Sequence, residues 1–106
     1  MSPFTADKTA DKMMNILNQN YDFKIFKILD FYFDFDNSYM AFIYWKTEKE
    51  LSLITDDAKK QIKEIFINYL KDNGYFPSLV KDVDFHFDSD ENVQKNFRGN
   101  YFYATR

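Results

Sequence analysis

Asp82, Asp84, His86 and Asp88 stand two apart in a run that alternates with Val83, Phe85 and Phe87. On an extended chain such residues point the same way at ~7 Å spacing, so the imidazole and its flanking carboxylates share one face. That row offers donors a divalent cation would accept. Metal sites, however, usually collect ligands from several elements, and one flat row reads more simply as a solvated strand face. Acid–base chemistry on His86 fares no better. No Ser or Lys is placed by the sequence as its partner, and no glycine-rich phosphate loop is present. Asp88-Ser-Asp90-Glu-Asn92 opens like a calcium loop, but Val93 stands where the loop needs Gly and Gly99 where it needs a bidentate Glu. With no Cys, thiolate chemistry and disulfides are excluded. The expectation is a chain with no catalytic residue, no metal and no cofactor.

Binding chemistry is the richer possibility. Acid gathers on two segments, Asp30, Asp34 and Asp36 on the first and Asp82, Asp84, Asp88, Asp90 and Glu91 on the second. Acid runs are usually only solvated surface. Beside aromatic side chains such as Tyr32, though, carboxylates make an anchor set for a basic, concave protein site. Exposed sheet aromatics also stack single-stranded bases, which keeps a nucleic-acid or metal-binding domain as the alternative. The interleaved Asp30, Asp34 and Asp36 would repel phosphates, and the net charge of −3 points the same way.

These residues are held by a readable set of elements. Ser2-Pro3 looks like a helix start, and Ala6, Ala10, Met13, Met14 and Leu17 follow at helical spacing to about Asn18. From Tyr21 to Phe35 the period becomes two, with Phe23, Ile25, Leu29, Phe31, Phe33 and Phe35 on the face expected to be core. The turn Asp36-Asn37-Ser38 then leads into a second strand, Tyr39–Glu48, apolar on both faces. Thr55-Asp56-Asp57 caps a helix striped by Ala58, Ile62, Ile65, Phe66, Tyr69 and Leu70 and closed by Gly74. A third strand covers 82–88, a short helix capped by Ser89 runs to about Phe97, and Asn100–Thr105 reads as a last strand. The predicted order is α-β-β-α-β-(short α)-β. That order implies an α+β fold with a four-stranded, mainly antiparallel sheet and its two main helices on one face.

At 106 residues one domain is expected, with 21% aromatic residues supplying enough area for a substantial core. Residues 1–20 are polar, and no apolar run reaches membrane-spanning length. A cytoplasmic, soluble protein with no membrane partner is the resulting expectation.

The stretch Asp88-Ser-Asp-Glu-Asn-Val-Gln-Lys-Asn-Phe-Arg-Gly-Asn-Tyr-Phe-Tyr103 resembles small bacterial immunity proteins of polymorphic-toxin and contact-dependent growth inhibition systems. The similarity covers about the last quarter of the chain, together with its size, acidity and α+β order. It implies a cognate toxin domain, often a nuclease, bound and blocked by direct contact. It assigns no residue roles. The partner surface is therefore expected on Asp30, Tyr32, Asp34, Asp36, Asp82, Asp84, His86, Asp88, Asp90 and Glu91.

Overall fold

The computed structural model describes residues 6–33, 35–78 and 80–101. Helix α1 (Ala6–Tyr21) buries Ala10, Met13 and Leu17, one per turn along a single stripe. It closes on Asp22, whose φ of 53° is left-handed; the Asp22 and Phe23 amides donate back to the Asn18 and Leu17 carbonyls. Strand β1 (Lys27–Phe33) therefore starts six residues later than the alternation alone suggests. The intervening loop is held from both sides. The Asn18 side chain both accepts from the Ile25 amide (2.7 Å) and donates to its carbonyl (2.9 Å), while the Trp45 indole donates to the Phe23 carbonyl (2.9 Å).

Strand β2 (Ser38–Trp45) pairs antiparallel with β1, Ile28 opposite Ile43 and Phe31 opposite Met40, so the expected hairpin forms. It ends at Trp45 rather than Glu48. Thr47 accepts from the Glu50 amide (3.1 Å) and caps a short helix, α2 (Glu48–Ser52), that periodicity does not reveal. Helix α3 (Asp56–Asp72) starts as expected, Thr55 accepting from the Ala58 amide (3.1 Å). It ends at Asn73 with Gly74 at φ +76°, and the Tyr75 amide reaches back to the Leu70 carbonyl (2.8 Å).

Strand β3 (Asp82–Ser89) lies beside β2 in parallel register, Ala41 opposite Phe85 and Phe42 opposite His86. Among the described residues the sheet is thus three-stranded and mixed, in the order β1-β2-β3, within the expected α+β class. This corrects the expectation of a four-stranded, mainly antiparallel sheet. A helix of α3's 17 residues is ~25 Å long, about the length of an eight-residue strand, so it returns the chain to the end where β2 began and β3 runs the same way. The expected fourth strand does not begin at Asn100 or Tyr101. Helix α4 (Asp90–Asn96) folds back over the sheet, and the Tyr101 ring packs edge-on against Tyr44 at 4.9 Å; residues 102–105 lie outside the described residues.

The sheet separates two environments. One face carries Ile28, Asp30 and Tyr32 of β1, Tyr39, Ala41, Ile43 and Trp45 of β2, and Val83, Phe85 and Phe87 of β3. Against it pack α1 and α3, the latter through Ile62, Phe66 and Leu70, in the main core. The other face carries Leu29, Phe31, Phe33, Met40, Phe42, Tyr44, Asp84, His86 and Asp88. A smaller cluster of Phe42, Tyr44 and Val93, joined by Leu29, Phe97 and Tyr101, covers one end of that face. The expected core face of β1 is therefore the outer one. Both faces of β1 are rich in apolar atoms, and the helices take the side on which Asp30 and Tyr32 find polar partners.

Candidate binding face

The end of the outer face nearest the β1–β2 turn carries no helix among the described residues, and its chemistry follows from the register. Row by row it reads Leu29–Phe42–His86, Phe31–Met40–Asp84 and Phe33–Ser38–Asp82. Alternation on β3 turns Asp82, Asp84 and His86 outward, and all three are exposed. Phe31 and Phe33 are more than a third exposed, and Phe35, just beyond the strand, is 82% exposed. Their rings are ordered by one another. Phe31 stands edge-on to Phe42 at 5.9 Å, Phe33 edge-on to Phe35 at 6.0 Å, and His86 lies flat on Phe42 at 4.7 Å.

Asp36 belongs to the same end. Its Oδ1 accepts from both the Ser38 amide (3.1 Å) and the Ser38 hydroxyl (2.7 Å), and Ser38 faces Asp82 across the parallel register. The Lys81 amide donates to the Asn37 carbonyl (2.7 Å), which ties the start of β3 to the turn. Two acidic segments far apart in sequence thus meet at one corner. Asp36, Asp82 and Asp84 border an apolar patch of Phe31, Phe33, Phe35 and Met40. No Lys or Arg forms an ion pair with these three acids among the described residues, where the ion pair present is Lys46–Asp90 at 3.4 Å.

The other expected site residues are placed elsewhere. Asp30 points to the helix side, is 8% exposed, and accepts a hydrogen bond from the Tyr39 hydroxyl. Burial and the adjacent Asp30 carboxylate push the Tyr39 phenol far above its ordinary value. Tyr32 shares that face, its hydroxyl donating to Asn37 Oδ1 (3.1 Å). Asp34 lies outside the described residues. Asp88 accepts from the Ser89 amide (2.8 Å) and the Asn92 side chain (2.9 Å), and Glu91 accepts from the Glu48 amide (2.8 Å).

Asp90 is buried, accepting from the Tyr101 hydroxyl, Gln94 (3.3 Å) and Lys46 (3.4 Å). The Tyr101 hydrogen bond, reinforced by Gln94 and Lys46, holds its carboxyl below the usual carboxylate range. These three acids anchor α4 and α2 to the sheet. Nearby, the buried Tyr44 hydroxyl has no hydrogen-bond partner among the described residues, and burial with the Asp88 charge pushes it up to about 12.

The patch aromatics were hidden in the sequence because Phe at every second position reads as core. The alternation of exposed acids on β3 was the available signal that this face is not wholly covered, since Phe31 and Phe33 share rows with Asp84 and Asp82. Among the described residues no group of three or more His, Cys, Asp or Glu converges as metal ligands. No described helix is long and apolar enough to cross a membrane. Neither a protein-family model, nor a curated protein, nor a solved structure matches the chain.

Proposed function

We propose that this chain is an immunity-type binding protein that neutralises a basic toxin domain, of the nuclease kind, by covering it with the corner of the outer sheet face. The observation that carries this reading is the juxtaposition of exposed Phe31, Phe33 and Phe35 with Asp36, Asp82 and Asp84, acids that have no ion-pair partner among the described residues. Exposed aromatics in a cluster supply anchor area for a protein partner, and a carboxylate border selects a positively charged one. A nucleic-acid strand laid on the same rings would bring its phosphates against Asp82 and Asp84, an unfavourable arrangement. The resemblance of residues 88–103 to immunity proteins supports the same conclusion.

The test is calorimetric titration with any candidate toxin domain that a neighbouring gene is found to encode, paired with an assay of that domain's activity. Wild type is expected to bind stoichiometrically and to abolish the activity. Phe35→Ala and Asp84→Asn should weaken binding, whereas Leu53→Ala, at a residue 70% exposed away from the patch, should not. Binding that survives both changes at the patch would place the contact elsewhere. No binding at all would remove the immunity reading.

A further inference from the structure

The rows of the outer face differ in what stands between β1 and β3. Phe42 fills the space between Leu29 and His86, and Met40 fills it between Phe31 and Asp84, but between Phe33 and Asp82 stands only Ser38. Neighbouring strands lie ~4.8 Å apart, so the backbones of Phe33 and Asp82 are about 9.6 Å from each other across a short side chain. The result is a notch with unlike walls. On one side is the exposed ring of Phe33, braced edge-on by the exposed Phe35 at 6.0 Å; on the other is the exposed carboxylate of Asp82. The floor is already committed. The Ser38 amide (3.1 Å) and hydroxyl (2.7 Å) both donate to Asp36 Oδ1, which holds a second carboxylate beside the notch. Neither Asp36 nor Asp82 forms an ion pair among the described residues.

We propose that this notch seats one arginine side chain of the partner, its guanidinium against the Phe33 and Phe35 rings and its N–H edge on the carboxylates of Asp82 and Asp36. The inference rests on the proposed function above and names what the partner presents at this corner. Arginine meets both walls at once, because its flat guanidinium stacks on aromatic rings while its fork of donors grips carboxylates. A lysine ammonium is a compact, strongly hydrated point charge and cannot lie flat on a ring while holding two acids. An anionic group is repelled by Asp36 and Asp82. An uncharged apolar side chain would cover both carboxylates and leave them without water or a partner, which is costly. Met40 fills the next row, so the seat is confined to the end of the sheet beside the β1–β2 turn.

Acetylated hexa-arginine and hexa-lysine amides carry equal charge on different head groups, so together they separate this seat from general attraction to an acidic surface. In an amide-resolved NMR titration, hexa-arginine is expected to bind wild type about two- to fivefold more tightly than hexa-lysine, the worth of one exposed cation–aromatic contact. The largest shifts should fall at Phe33, Ser38 and Asp82. Ser38→Met fills the notch as Met40 fills the next row and leaves every charge in place. It should remove the arginine preference while hexa-lysine binds as before. Phe33→Leu, which keeps an apolar wall but removes the ring, should do the same; circular dichroism checks that both variants are folded. Equal affinity for the two peptides, or no binding of either, overturns the proposal. So does a preference that survives both variants, or shifts centred away from the β1–β2 turn. The toxin reading is tested apart. A toxin domain that binds wild type and Ser38→Met equally well leaves that reading standing and removes the seat. Arginine preference at the notch, with no toxin domain bound by wild type, leaves the seat and removes the reading.

Discussion

The imidazole of His86 lies on the phenyl ring of Phe42, centroids 4.7 Å apart and planes within 14° of parallel. Phe42 is 7% exposed, so His86 is the lid that separates this ring from solvent on the open side of the sheet. The residue that most invites a catalytic reading from sequence thus packs like a hydrophobic cover. His86→Ala is expected to destabilise the fold by ~0.5–1.5 kcal/mol through loss of the stack, measured by urea denaturation with an unchanged m-value. A loss beyond about 3 kcal/mol would mean that His86 has a larger structural role than covering one ring.

Phe66 sits at the centre of the main core, fully buried, with its ring 5.7 Å from Tyr39 and 5.4 Å from Phe85. It therefore joins α3 to two adjacent strands. Phe66→Ala should cost ~3–5 kcal/mol in equilibrium unfolding, since three elements cannot collapse together to fill the space. A cost under about 1 kcal/mol would contradict this packing.

The parts of this fold that were legible in the sequence are the ones decided locally. Thr55 and Ser89 cap helices through bonds to an amide three residues on, and Gly74 closes α3 within one turn. The hairpin likewise follows from two alternating runs around Asp36-Asn37-Ser38. The choice of core face on β1 was not legible, because both parities are rich in apolar atoms and the side that is buried carries Asp30, whose carboxylate is accommodated there by the hydroxyl of Tyr39 nine residues away. Nor was the parallel course of β3, which depends on the length and path of α3. At the binding face, alternation exposes Asp82, Asp84 and His86, whereas of the acids that follow Asp90 is buried, Asp88 is half-buried and Glu91 is exposed. They surround the start of α4, where Asp88 accepts from the Ser89 amide, Glu91 from the Glu48 amide, and Asp90 from the side chains of Tyr101, Gln94 and Lys46. Nothing in the sequence signals the misreading of Asp90 as surface acid, since its partners lie 4 to 44 residues away.

Asp90 offers a pH-dependent consequence of that misreading. Its carboxyl is held below the ordinary value of 3.8 by the Tyr101 hydroxyl, then Gln94 and Lys46, so the folded state binds a proton less readily than the unfolded chain. The resulting stabilisation is fully present above about pH 4 and is lost as pH falls through the lowered folded value. Asp90→Asn should cost ~1–2 kcal/mol near neutral pH, because the charge-assisted hydrogen bonds weaken. The gap between wild type and variant should narrow toward about pH 3. Urea titrations at both pH values check it, and a gap that widens in acid has the wrong sign for this account.

The electrostatic part of the proposed function can be separated from its apolar part by kinetics. Asp82 and Asp84 are exposed on the border of the aromatic corner, where long-range attraction to a basic partner acts before contact. Neutralising both should slow association several-fold at low salt and flatten its salt dependence, with dissociation little changed. Phe35, 82% exposed and in ring contact with Phe33, acts only once the surfaces meet. Phe35→Ala should leave association and its salt dependence intact and speed dissociation, costing ~1–3 kcal/mol of affinity. Surface plasmon resonance against the toxin domain across a salt series distinguishes the two signatures. If Asp82→Asn/Asp84→Asn and wild type associate equally fast at every salt concentration, the carboxylate border does not steer the partner, and the anchor must be sought among the apolar residues alone.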